Sequence, residues 1–447
     1  MKISFYLDNS KIQHVDFSQV EDGNPGCGGT EYSIVSCVHA LTKMGLPTKL
    51  FVTNFGNFPS IVQFKVVENF EFACIEALKL QTTLVYKPSV YEKDIRFNLS
   101  NDTKYSIAPW LHITPTQKQL REMARDYRVK VIIAIGNNQA LRILDNPAWE
   151  KTIVLENPIS FPSASTKRSD IKLGKRVTFI GALVPAKGFH LLAEVWPKVL
   201  KEIPEARLSV IGSAKLHGSV SANIASERKS SYEDRVIRLL GDSVHSVDFL
   251  GLLDHKKITE VLLCSNVGVI NPSGETEVMS GSALEMQSLG VPVISRRKFG
   301  MVDVVRNGKT GLLVRSKRGL KKSIIELLKD EKKRESLSEN AINFVKEEFK
   351  KEEIVNKWVR FFEFKQSLKE VEFKGSPVQS VGIRGLAANL NRGLQIKCNY
   401  KLLTIQEYTE ILLSARNFLK RNLMKAKAFL VASRNVQRKK ASHTEAG

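Results

Sequence analysis

The sequence predicts an α/β fold in which two doubly wound domains stand in tandem, followed by a basic helical extension. Three observations predict it. Short apolar runs alternate with amphipathic helical patterns over two separate stretches of the chain. The strand segments read as near-continuous apolar runs, as expected of a parallel sheet covered on both faces. At 447 residues, 43% of them apolar, the chain exceeds the size at which one core keeps growing.

The first series opens with KISFYL and a helix from about Thr30 to Met44, then runs through TKLFVT, TTLVY, VKVIIAIG and TIVLEN. SFPSASTKRSD, 160–170, is polar and Ser-rich and reads as the interdomain linker. The second series begins at RVTFIG and an amphipathic helix around Phe189 to Ile203. It continues with ARLSVIG, VDFLG, NVGVI, VPVIS and TGLLV. After Val314 the pattern turns helical up to about Phe364. The expected divisions are 1–160, 161–345, a crossover helix in 346–370 that braces the first domain, and the extension 371–447.

Cys27, Cys37, Cys74, Cys264 and Cys398 stand far apart, with no C-x-x-C pair and no His cluster nearby. That argues against a zinc site or disulfide framework and for a reducing cytoplasm. MKISFYLDNS lacks the basic head and apolar middle of a secretory signal, and no apolar run is long enough to span a bilayer. A net charge of +22 calls for an anionic partner: nucleic acid, an acidic sugar or a phospholipid surface. Residues 375–447 hold 13 Lys and Arg against 3 Glu, so about +10 of that charge sits there. In this tail Ile405, Tyr408, Leu412, Leu419, Leu423 and Leu430 fall near one helical face, and Arg416, Lys420, Lys427 and Arg434 share another. Two readings fit: a solvated helix packed on its own domain, or a basic amphipathic helix on an anionic membrane.

The chemistry concentrates in GETEVMSGSALEMQSLGVPVIS, 274–295. Ser280 or Ser282 can cap a helix beginning near Ala283, and Gly290 can end it before the strand VPVIS. The helix N-terminus attracts phosphate, while Glu277 in the loop before it is suited to accept from hydroxyls. A sugar phosphate or nucleotide sugar meets both demands. The plainer alternative makes S-A-L-E, 282–285, a capping box, with Glu285 merely satisfying backbone N–H groups. Context favours a ligand, because the segment lies in a βα unit, where ligands gather at the carboxyl ends of parallel strands.

NPSGETEVMSGSALEMQSLGVPVIS, with the D-V-V-x-N-G-x-T-G-L-L-V run at 303–314, resembles the E-x7-E region of family 4 glycosyltransferases, retaining enzymes of GT-B fold. FIGALVPAKGFHLLAEVWPKVLKEIPEARLSVIGS, 179–213, is similar to the first βαβ unit of that family's nucleotide-binding domain. NPGCGGTEYSIVSCVHALTKMGLPTKLFV, 24–52, looks like its N-terminal glycine loop and helix. The resemblance covers roughly 1–365 and implies two Rossmann-like domains facing across a cleft. It implies that Glu277 contacts the donor sugar's hydroxyls, Glu285 the ribose, and Lys187 the diphosphate, where a fixed cation stabilises the leaving group. Gly28 and Gly29 would match the glycine loop, where the missing Cβ admits a phosphate or sugar. His112, in the W-x-H run Trp110–His112, would face the acceptor, and Asn157–Pro158 would match a structural turn.

Departures stand beside the matches. Ala182 occupies the place of a phosphate-binding arginine, which leaves that contact to be supplied from elsewhere, for example by Arg296, Arg297 or Lys215. Val278, Met279 and Ser280 replace a Gly-Phe-Gly, so their backbone N–H groups would serve the donor. With no D-x-D, transfer without a metal or other cofactor is expected; the resemblance implies front-face attack, with the departing phosphate oxygen as base. The predicted function is a retaining glycosyltransferase. It would move a hexose-type unit from a nucleotide sugar to a glycan or lipid-linked acceptor, in the cytoplasm or at the inner face of an anionic membrane. The alternatives are a basic nucleic-acid-binding protein, for which the tail has few aromatics, and a non-catalytic GT-B-like binding protein. A dinucleotide oxidoreductase is disfavoured, because no G-x-G-x-x-G follows KISFYL.

Overall fold

The computed structural model describes residues 2–88, 105–162, 174–212, 232–364, and 387–416 except 389, 399 and 401. The first sheet comprises β1 (Ile3–Leu7), β2 (Thr48–Val52), β3 (Phe64–Val66), β4 (Thr83–Tyr86), β5 (Ser106–Leu111), β6 (Ile132–Ala134) and β7 (Thr152–Val154). Its order is β3-β2-β1-β4-β5-β6-β7. The second comprises β8 (Arg176–Ile180), β9 (Arg207–Ile211), β10 (Val247–Gly251), β11 (Val267–Val269), β12 (Val293–Arg296) and β13 (Gly311–Val314), in the order β10-β9-β8-β11-β12-β13. Every pairing within the two sheets is parallel. The helices of the first domain are α1 (Gly29–Lys43), α2 (Phe70–Lys79), α3 (Gln117–Arg125) and α4 (Asn137–Leu141). Those that follow are α5 (Phe189–Leu200), α6 (Tyr232–Leu240), α7 (His255–Leu263), α8 (Gly281–Ser288), α9 (Met301–Val304), α10 (Lys317–Lys329), α11 (Glu331–Glu348) and α12 (Lys351–Phe364).

Both strand orders reverse beside a central strand. In the second sheet β8 is flanked by β9 and β11, so the loops leaving the carboxyl ends of β8 and β11 diverge and open a crevice. Lys187 follows β8 and Glu277 follows β11. Around β8, Val177, Phe179, Phe189 and Trp196 form a solvent-free core between the sheet and α5 and α10. A second core runs through both domains, from Phe5 and Trp110 to Met279 and Leu284.

The end of the second domain returns to the first one. In α12, Trp358 stands 4.8 Å from the Trp110 ring and 6.1 Å from Phe5, and its indole N–H donates to the Glu156 carbonyl at 2.9 Å. Lys357 pairs with Glu156 at 3.0 Å. The domains also touch across the cleft. Asp303 Oδ2 accepts from the Asn138 amide at 2.8 Å, and the Arg142 guanidinium lies 4.2 Å from the Phe299 ring centre.

Sequence patterning leaves out β3 and β5. β5 carries Pro109, which has no N–H for a ladder and argues against a central strand. The sheet accommodates it by dividing the pairing: β4 pairs with the strand through Pro109, while β6 pairs only from Trp110 onward. Of the expected linker, 163–170 lies outside the described residues, whereas Ser160, Phe161 and Pro162 line the cleft. Lys215 and 417–447, with Leu419, Lys420, Leu423, Lys427, Leu430 and Arg434, also lie outside them. No helix among the described residues is long and apolar enough to cross a membrane.

Candidate functional site

Two loops build the second domain's side of the cleft. After β8 the chain makes a tight turn, Pro185–Lys187, closed by Gly188 at φ +74°. A Cβ there would stand 2.5 Å from the Ser273 amide nitrogen, so only glycine lets the turn close onto the loop that follows β11. Ser273 Oγ ties the two loops together by donating to the Ala186 carbonyl. After β11, Asn271 takes a left-handed conformation, φ +39°, and organises its loop. Its Oδ1 accepts from Gly274 N at 3.0 Å and lies 2.8 Å from Ser273 Oγ. Its Nδ2 donates to the Glu275 carbonyl at 2.9 Å and to Glu277 Oε2 at 2.8 Å.

Glu277 therefore arrives oriented, and Lys187 Nζ donates to the same Oε2 at 2.8 Å. The side chains are 25% and 11% exposed, for Lys187 and Glu277 respectively, a mostly dehydrated ion pair. Burial alone would raise the Glu277 carboxyl, but the Lys187 charge and the hydrogen bonds of Lys187 and Asn271 outweigh it and hold it below the ordinary range. It is a carboxylate, an acceptor only.

Helix α8 starts at Gly281, and Ser280 caps it by accepting from Ala283 N at 3.4 Å. This corrects the expected start near Ala283 and removes Ser282 as a cap. Glu285 does not close a capping box: among the described residues its carboxyl has no hydrogen-bond or ion-pair partner. Burial lifts it to about 7. Gly290, at φ +71°, ends the helix as expected. Val278, Met279 and Ser280 pass between these carboxyls, their side chains buried and their backbone N–H groups without an acceptor among the described residues.

The first domain supplies the opposite wall. Gly28 caps α1 without a side chain and Gly29 is its first residue. Glu31 folds back over that end, so a Cβ on Gly28 would meet its carboxylate, and Lys87, past β4, pairs with it at 3.6 Å. His112, past β5, rests on the Trp110 ring at 4.5 Å, with its Nε2 buried and unpartnered. Burial, aided by the Lys87 charge, lowers its pKa to about 3, so the ring is neutral.

All nine expected site residues, Gly28, Gly29, His112, Lys187, Glu277, Val278, Met279, Ser280 and Glu285, line one cavity of about 380 Å³ between the domains. Asn271, Glu31 and Lys87 line it as well, unforeseen from the sequence. Lys87 was findable, because it is a cation directly past a parallel strand. Glu31 and Asn271 carry no such signal, because their placement depends on a helix start and a left-handed turn. Arg296 and Arg297 do not line the cavity. Arg296 packs against Gly274, whose added Cβ would meet it at 2.8 Å.

Residues 165–344 match the family model described as "Glycosyl transferases group 1". The matched residues fall on the second domain, so that domain is similar to group 1 glycosyl transferases. The likeness extends to relatives in which it is 27% identical over 177 residues to spore coat protein SA of Bacillus subtilis, covering 38% of this chain and 45% of that protein. It is 28% identical over 162 residues to the GDP-mannose-dependent monoacylated alpha-(1-6)-phosphatidylinositol monomannoside mannosyltransferase of Corynebacterium glutamicum, over 35% of this chain and 38% of that one. The chain thus spans less than half the length of these relatives. Among solved structures, a glycosyltransferase from Rickettsia africae superposes with a TM-score of 0.60 at 13% identity, over 83% of this chain and 99% of that one. HepE of Anabaena in complex with UDP-glucose gives 0.56 at 16% identity, over 81% and 99%. These superpositions identify the architecture as GT-B.

Proposed function

We propose that the chain transfers a sugar, with retention and without a metal or other cofactor, from a nucleotide-diphosphate donor to a glycan or lipid-linked acceptor. The observation that carries this reading is the Lys187–Glu277 pair, joined at 2.8 Å in the same interdomain cavity as the partnerless Glu285. The ammonium is aimed where a diphosphate gathers charge as its bond to the sugar breaks. Ionised Glu277 accepts from the sugar's hydroxyls, Glu285 accepts from the ribose, and the N–H groups of 278–280 donate to the donor. Neutral His112 hydrogen-bonds the transferring sugar or the acceptor. The acceptor hydroxyl attacks the anomeric carbon on the face that the diphosphate leaves. The carbon–oxygen bond to phosphate breaks, and the hydroxyl proton passes to the departing phosphate oxygen.

The relatives' printed names, a mannosyltransferase and a capsular polysaccharide biosynthesis glycosyltransferase, support a glycan or lipid-linked acceptor. The test is nucleotide release from UDP-glucose, UDP-N-acetylglucosamine and GDP-mannose, with the anomeric configuration of the sugar product read by proton NMR. The expected result is turnover of one donor with its configuration retained, undiminished by EDTA and reduced roughly a hundredfold in Lys187→Ala. Inversion, loss of turnover in EDTA, or failure to turn over any donor would contradict it.

A further inference from the structure

The start of the C-terminal extension forms two helices, over 390–397 and 405–416, docked against the first domain. Polar contacts hold them. Asp145, 1% exposed, accepts from Asn391 Nδ2 at 2.8 Å and from Ile405 N at 2.6 Å, which caps the second helix. Arg121 in α3 grips Glu407 with both guanidinium nitrogens, at 2.6 and 2.5 Å. Arg392 pairs with Glu150 at 3.0 Å, and the buried Gln395 bridges to Leu402.

Most of the large apolar residues of the same helices are exposed. Leu390, Leu394, Ile411 and Leu412 are 67%, 54%, 55% and 69% exposed, and Tyr408 is 45% exposed. A helix packed on a soluble domain normally does the reverse, turning its apolar stripe to the core. The contacts that dock the hairpin are these polar ones, and the exposed aliphatic side chains leave a hydration cost. Charge identifies what covers them. Residues 387–447 contain 12 Lys and Arg against 3 Glu; Glu407 is committed to Arg121 and Arg392 to Glu150, and Glu410 is exposed. Lys397 and Arg416 stand exposed beside the leucines.

We propose that the outward face of this docked hairpin binds an anionic lipid bilayer. Its aliphatic side chains would enter the boundary between headgroups and acyl chains, Tyr408 would sit at headgroup depth, and the flanking cations would meet lipid phosphates. This goes beyond the transfer reaction. The hairpin is fixed to the domain that carries His112, so docking would hold the whole transferase on the membrane rather than a loose tail.

The test is flotation of the full chain with vesicles of phosphatidylcholine alone and of phosphatidylcholine mixed with phosphatidylglycerol. The comparison is with a Leu390→Gln, Leu394→Gln, Leu412→Gln triple variant. The wild type is expected to float with the phosphatidylglycerol vesicles and not with the neutral ones, and the variant to partition at least about tenfold less. The variant's melting temperature and its thermal shift with nucleotide sugars should be unchanged, so this inference and the transfer reading fail separately. Equal flotation of variant and wild type, equal binding to neutral vesicles, or no flotation at all would overturn it. So would a wild-type dimer that the triple variant abolishes, because the face would then belong to a second copy of this chain.

Discussion

At position 285 a carboxyl lifted to about 7 by burial faces the cavity with no partner among the described residues. A ribose hydroxyl entering the cavity would supply it with a donor. The sign follows from the raised value. Relative to the unfolded chain, whose carboxyl titrates near 4.5, protonation of Glu285 stabilises the fold at low pH, and that contribution is lost as pH rises through about 7. Ligand affinity runs the opposite way, because the ionised form is the acceptor. Affinity for a nucleotide sugar, whose diphosphate does not titrate near neutrality, should rise roughly tenfold between pH 6 and pH 8. Calorimetry should show that rise in the wild type and a flat profile in Glu285→Gln, and a rise surviving in the variant would assign it to another group.

Among elements, the short helices α4 and α9 decide how the domains meet. Asp303, in α9, accepts from Asn138 N at the start of α4, and burial raises its carboxyl to about 7 although that bond opposes the shift. Ionising it inside the contact costs stability, so the contribution present near pH 4 is lost as pH rises through about 7. Asp303→Asn keeps an acceptor and removes the charge. Its melting temperature should gain on the wild type between pH 5 and pH 8 by about 2–4 °C for each kcal/mol relieved, read by scanning calorimetry, while parallel curves would show that Asp303 does not titrate there. Neither element was visible in the sequence, because α4 has five residues and α9 four, too few for a helical period to register. The long apolar strands and α1, α5 and α12 were legible, because their burial pattern is written in consecutive side chains. Pro109 hid β5, a strand whose ladder is split between two neighbours.

In the whole molecule, the two sheets bring the loops after β8 and β11 to face the loops after β1, β4 and β5. The apolar runs predict the sheets, and the sheets predict where a ligand sits. Chain order alone did not show that Asn271 steers Glu277, that Lys87 and Glu31 pair on the opposite wall, or that the hairpin of the extension docks through its polar side. Each of those depends on contacts between residues far apart in the chain. The central claim is that the Lys187–Glu277 pair forms the donor site. Calorimetric titration of a nucleoside diphosphate and of its sugar conjugate into wild type, Lys187→Ala and Glu277→Gln tests it most directly. The account predicts that Lys187→Ala weakens both ligands about tenfold or more, whereas Glu277→Gln keeps the diphosphate and loses only the added affinity for the sugar. Wild-type affinity for both ligands in both variants would contradict it.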